Sequence, residues 1–214
     1  MAANTNTLVT AHGSVVEKPT FFSASGSLVS VIKRAIGNKQ DIAIDAGALG
    51  SITLLTKRGE YFGEPGSVEA ICKNDAGHYK VVVIKDSGEA HPKEKGKNID
   101  ELMWCAGYYA SDGRLMEGLL REDVVELMYW PNFTRLPHKP SFMRLAALLT
   151  KHPTSIAMAQ HYLKIAPDEV YQFYTAASCA GLARPVNRAA TEPKLKPHRN
   201  QALLAKLLNK IAGM

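Results

Sequence analysis

The side chains able to do chemistry in this chain are scattered rather than clustered. Cys72, Cys105 and Cys179 are odd in number and far apart. They lack the paired spacing of a zinc site or a dithiol motif, so they read as reduced and mostly buried, which fits a cytoplasm. The histidines His12, His78, His91, His138, His152, His161 and His198 include no pair at metal-ligand spacing and no His-Glu-x-x-His helix, and read as surface or capping residues. Gly47 and Gly50 stand in a strand context without the Lys-Ser/Thr ending of a phosphate-binding loop. Glu122, Asp123 and Glu126 accompany Arg121 on what reads as one helical element, where a solvated charged face accounts for them without general acid-base work. No Ser or Cys occupies a strand-to-helix elbow, and Cys105 beside Trp104 reads as core. The expectation is a protein that is not an enzyme, with no cofactor and no metal.

Charge points elsewhere. The net charge is +6. Between Gly181 and Met214 stand Arg184, Arg188, Lys194, Lys196, Arg199, Lys206 and Lys210 against the single acid Glu192, which accounts for the whole excess. An electrostatic argument for nucleic acid therefore concerns this basic tail and not the body. No run reaches the roughly 18 apolar residues of a membrane span, and the first residues lack the basic start and apolar core of a signal peptide, so a cytoplasmic protein is expected.

The elements that would position these residues fall into two groups, giving an expected α+β protein. Residues 1–18 read as an irregular, flexible leader. Residues 19–90 read as a small antiparallel sheet domain. It starts with a short helix, capped by Ser27, in which Leu28, Val31, Ile32 and Ala35 share a face and Gly37 and Asn38 form the stop. Strands follow at residues 41–45, 51–56 and from Tyr61, and residues 68–73 and 79–85 read as a hairpin about Asn74-Asp75-Ala76-Gly77. Residues 91–98 read as a linker to a helical domain at 99–183. Its first helix starts near Ile99 with Leu102, Met103 and Ala106 inward; residues 124–130 form a further apolar element, closed by Pro131. Three helices then follow closely, capped by Ser141, started by Pro153-Thr154-Ser155, and opened by Pro167 with Asp168 and Glu169 at the positive end; Gly181 closes the last. Residues 184–214 read as a basic connector and an amphipathic helix, with Leu203, Leu204, Leu207, Leu208 and Ile211 opposite Lys206 and Lys210.

The run Leu163-Lys164-Ile165-Ala166-Pro167-Asp168-Glu169-Val170 resembles the turn of helix-turn-helix proteins, in which three apolar side chains close the wedge between two steeply crossed helices. With Gly181-Leu182 as an exit, residues 141–182 resemble a helix-turn-helix or winged-helix unit. Gln160 and Lys164 depart from the small residue and the glycine usual at those positions. The third helix offers Asp168, Glu169, Tyr171, Gln172 and Tyr174 to a groove; two carboxylates repel phosphates, and Gln172 alone could read a base. Lys164, Asp168, Tyr171, Gln172 and Tyr174 are therefore the expected contact surface, for a protein partner or for DNA.

Two further stretches carry resemblances. Gly47-Ala48-Leu49-Gly50-Ser51-Ile52-Thr53-Leu54, ending near Glu60-Tyr61-Phe62, looks like small regulatory domains of bacterial signalling proteins such as the PatA-type N-terminal domain. Trp130-Pro131-Asn132-Phe133-Thr134-Arg135-Leu136 looks like a stretch of bacterial proteins partnered with Ras-like small GTPases. These resemblances imply a regulator or adaptor in surface motility or pilus control, working through protein contacts. The alternative is a DNA-binding helix-turn-helix transcriptional regulator. The expected partners are thus a protein, with a small GTPase in view; nucleic acid; an acidic membrane surface reached through the C-terminal helix; or a second copy of the chain.

Overall fold

A computed structural model describes residues 21–73, 79–84 and 95–188, and the backbone of residues 8–9 and 15–16. Within the expected leader, β1 (Leu8–Val9) pairs antiparallel with β2 (Val15–Val16). Next come β3 (Phe21–Phe22), α1 (Leu28–Asn38), β4 (Ile42–Asp45), a 3-10 turn (Gly47–Leu49), β5 (Ser51–Leu55) and β6 (Glu60–Phe62). The chain goes on through α2 (Pro65–Lys73), β7 (Lys80–Val83), β8 (Lys97–Asn98) and α3 (Ile99–Ser111). In α1, Leu28, Ile32 and Ala35 are buried as their spacing predicts, whereas Val31 is only half-buried and Val29 is buried in addition. Ser27 holds the N-cap position, but its hydroxyl donates to the Ala24 carbonyl at 2.7 Å instead of capping. The helix stops at Lys39, which turns left-handed (φ 53°), beyond Gly37 and Asn38.

The first sheet has the order β7-β4-β5-β6-β8, with antiparallel pairing throughout. Residues 68–73 are helix, not a hairpin strand. Val68, Ile71 and Cys72 lie three and four apart and bury one face of α2, behind a proline at the first helical position. β7 pairs instead with β4, setting Val83 opposite Ile42 and Val81 opposite Ile44. The expected turn residues 74–77 lie outside the described residues. Gly47 and Gly50 belong to the 3-10 turn and its exit rather than to a strand.

The second half runs β9 (Leu115–Met116), β10 (Val124–Leu127), α4 (Ser141–Lys151), β11 (Thr154–Ser155), α5 (Ile156–Leu163), α6 (Pro167–Cys179) and β12 (Ala183–Pro185). Strands β11, β10 and β12 form an antiparallel sheet in that order, and β9 pairs parallel with β3. Residues 124–127 are thus the central strand of this small sheet, not a helical element. Ser155 caps α5 by accepting from the Met158 amide at 3.2 Å. Ser141 does not cap α4: it is the first helical residue, and its hydroxyl donates to the Glu169 carboxylate. Pro167 opens α6, and Gly181 closes it with φ 69° while the Leu182 amide returns to Ala177 at 2.8 Å. The fold is α+β, with six α-helices and mainly antiparallel sheets among the described residues.

One apolar cluster extends without a break from Phe22 to Ala183. Helix α3 joins its halves, packing on α1 and α2 on one side and on α6 on the other. The expected boundary at 91–98 does not divide this core. Lys97–Asn98 adds an edge strand to the first sheet, and Asn98 caps α3 by accepting from the Asp100 amide at 2.9 Å. At the α3–α6 crossing, a Cβ on Gly107 would stand 2.9 Å from Cys179 Cβ and 3.3 Å from Ala176 Cα, so only glycine permits the approach. No helix among the described residues is long and apolar enough to cross a membrane.

Candidate functional site

The structure separates the residues that the sequence grouped on α6. Tyr171, Gln172 and Tyr174 are 4%, 6% and 0% exposed, so they form no contact surface. Helix α6 is the central helix of its half, enclosed by α3, α4, α5, β9 and β12. Its polar tips turn inward: Gln172 Nε2 donates to the Tyr108 carbonyl at 2.9 Å while its Oε1 is buried without a partner among the described residues, and the Tyr174 hydroxyl donates to Asp123 Oδ2 at 2.7 Å. The first turn reaches the surface, where Asp168 lies 3.7 Å from Lys139 Nζ. Lys164 is exposed and turns left-handed (φ 51°) to close α5. Arg144 donates to the Leu163 carbonyl at the end of the same helix.

The first two residues of the expected basic tail are also committed to the fold. Arg184 lies in β12, where its Nη2 stands 2.8 Å from Glu126 Oε2 on β10. Arg188 grips Asp123 with two donors, Nε lying 2.6 Å from Oδ1 and Nη2 donating to Oδ2. Asp123 is 1% exposed and also accepts from the Leu120 amide at 2.8 Å, so it is no part of a solvated helical face. Burial acts to raise its pKa, but Arg188, the Leu120 amide and Tyr174 outweigh that and hold it below the ordinary value. Lys194, Lys196, Arg199, Lys206 and Lys210 lie outside the described residues.

What the surface does offer is aromatic. After β10 the chain exposes Met128, Tyr129 and Trp130, the last two at 69% and 54%. Pro131 follows. Trp130 meets the buried Phe133 ring edge-on, with centroids 6.1 Å apart, and Phe133 in turn packs edge-on against Trp104 at the same distance. Trp104 Nε1 donates to the Pro137 carbonyl at 2.9 Å, tying the loop after β10 to α3. The exposed indole is thereby mounted on the aromatic core of Trp104, Phe142 and Phe173. A shallow apolar groove of about 570 Å³ runs past Trp130, Phe133, His138 and the exposed Met143 of α4. The sequence singled out residues 130–136 only by resemblance; the signal it carried was an aromatic pair next to a proline.

Comparison with protein-family models, with curated proteins and with solved structures returns no match for this chain. Among the described residues no group of three His, Cys, Asp or Glu side chains could hold a metal ion.

Proposed function

We propose that the protein is a regulatory adaptor that docks a partner protein on the Trp130 face. The observation that carries this reading is the exposure of Trp130 and Met143 along a groove whose floor is fixed by the core, with the exposed Tyr129 next to Trp130 in the chain. Tyr, Trp and Met are the residue types enriched where protein surfaces meet, and a rigidly mounted indole loses little entropy on binding. Residues 130–136 also carry the resemblance to proteins partnered with Ras-like small GTPases, which names the partner class to try first.

Burial of α6 favours this reading over DNA recognition, because from Val170 onward every residue of the helix but the partly exposed Ser178 is buried, which leaves no row of side chains to enter a major groove. The five basic residues after Arg188 remain as the source of nonspecific DNA affinity.

The test is site-directed photo-crosslinking in the source cell, with the probe at Tyr129 and, as a control, at Lys39 on the far end of α1. A discrete adduct from position 129 alone is expected. Trp130→Ala should then weaken the purified complex about thirtyfold, the loss typical of an interface hot spot. Equal affinity of Trp130→Ala and the parent protein would remove this face from consideration.

A further inference from the structure

A second concave site lies at the seam between the two halves, on a part of the molecule that the adaptor reading does not use. It is a cavity of about 350 Å³. Strand β6 supplies Tyr61, α2 supplies Val68 and Glu69, α3 supplies Cys105, and the loop after β10 supplies Arg135. Volumes of this order are usual for small-molecule sites.

Tyr61 is only 4% exposed, yet its hydroxyl makes no hydrogen bond among the described residues. That oxygen is not one of the fully enclosed unpaired atoms, and Tyr61 is among the residues that line the cavity. A buried hydroxyl without a protein partner, on a residue that lines such a space, calls for a partner that enters it. Beside it, Lys97 Nζ stands 6.0 Å from the centroid of the Tyr61 ring and has no ion-pair partner among the described residues.

The acids of the site are engaged. Glu69 Oε1 lies 2.7 Å from Lys73 and accepts from the Tyr109 hydroxyl at 2.8 Å. Glu101 takes Arg135 Nη1 at 3.1 Å, which leaves the other guanidinium donors free to face the cavity. Burial first, then Glu101 and Glu69, push the Cys105 thiol up to about 12. It therefore stays a neutral S–H at physiological pH. Burial likewise raises the Tyr61 phenol far above its ordinary value, so it too remains a neutral donor.

We propose that this cavity binds a small organic carboxylate, its anionic end on Lys97 and the Tyr61 hydroxyl and its apolar body against Val68 and Pro137. Because the walls come from both halves of the chain, occupancy braces the seam that α3 spans. Lys97, a cation at the cavity with no ion-pair partner among the described residues, selects an anion over a neutral or cationic analogue.

The experiment is fluorine NMR titration of the full chain with 4-fluorobenzoate, 4-fluorobenzamide and 4-fluorobenzylamine. The carboxylate should bind with the highest affinity. Tyr61→Phe and Lys97→Gln should each weaken it about tenfold. Neither variant should markedly lower the thermal midpoint, since neither side chain loses a hydrogen bond or an ion pair within the described structure, and removing the unpartnered Tyr61 hydroxyl can only raise it. No binding of the carboxylate at millimolar concentration, equal binding of amide or amine, or unchanged affinity in both variants would overturn the proposal.

Discussion

At the scale of single residues, Asp123 is the most consequential polar group that the sequence hid. Its carboxylate is enclosed and fixed by Arg188, Tyr174 and the Leu120 amide. A carboxyl held below its ordinary pKa contributes stability that is full above the unfolded value, roughly 4, and is lost as pH falls through the folded value. Asp123→Asn should therefore destabilise the protein at pH 7 by about 2 kcal/mol. That lies below the usual cost of breaking a buried pair, because the Arg188 side chain is 39% exposed. Urea unfolding at neutral pH and near pH 3 checks both parts, since the gap between parent and variant should shrink in acid. A gap that does not change with pH would mean that the carboxylate charge is not what holds residues 183–188 against the body.

At the scale of elements, the α3–α6 crossing sets the geometry of the molecule. Gly107 sits where the helices come closest, against Cys179 and Ala176. In an isolated helix alanine is favoured over glycine by about 1 kcal/mol. Here the added methyl would meet backbone and Cβ atoms that cannot rotate away, and overpacking of this kind costs about 1–3 kcal/mol. Gly107→Ala should thus give a lower unfolding midpoint in urea. A higher midpoint would show that propensity wins and that the helices have room to separate.

At the scale of the whole molecule, the continuous core predicts one cooperative transition. Trp104 lies at the aromatic centre of the second half, whereas the backbone signal reports on every helix and sheet. Trp fluorescence and far-ultraviolet circular dichroism should therefore trace the same unfolding curve. Two separated transitions would restore the division at residues 91–98. The segment 183–188 also fixes where the tail can be removed. A chain ending before Arg184 loses β12 and both ion pairs to the β10 region, while one ending at Arg188 keeps them. Duplex DNA binding compared between the full chain and the form ending at Arg188, at several salt concentrations, should show affinity and salt dependence only when the last residues are present. Equal binding by the shorter form would bring the DNA reading forward.

The sequence alone determined the helices wherever apolar residues recur three and four apart. Leu28, Ile32 and Ala35 in α1, Leu102, Met103 and Ala106 in α3, and Pro167 as the start of α6 are local features that need only neighbours within a turn or two. It also located the charge excess from Gly181 onward. The same local rule failed at residues 68–73, where short apolar spacing fits strand or helix equally and the pairing of β7 with β4 was decided some 40 residues away along the chain. What surrounds α6 was equally illegible. Tyr171, Gln172 and Tyr174 look like an exposed face until Tyr108 and Asp123, distant in sequence, supply partners for the last two. The same holds for the cavity, whose donors Tyr61, Lys97, Cys105 and Arg135 are brought together only by packing α3 against α2 and the loop after β10. Periodicity states that a residue has an inside; only tertiary contacts decide whether its other side meets water, another helix or a ligand.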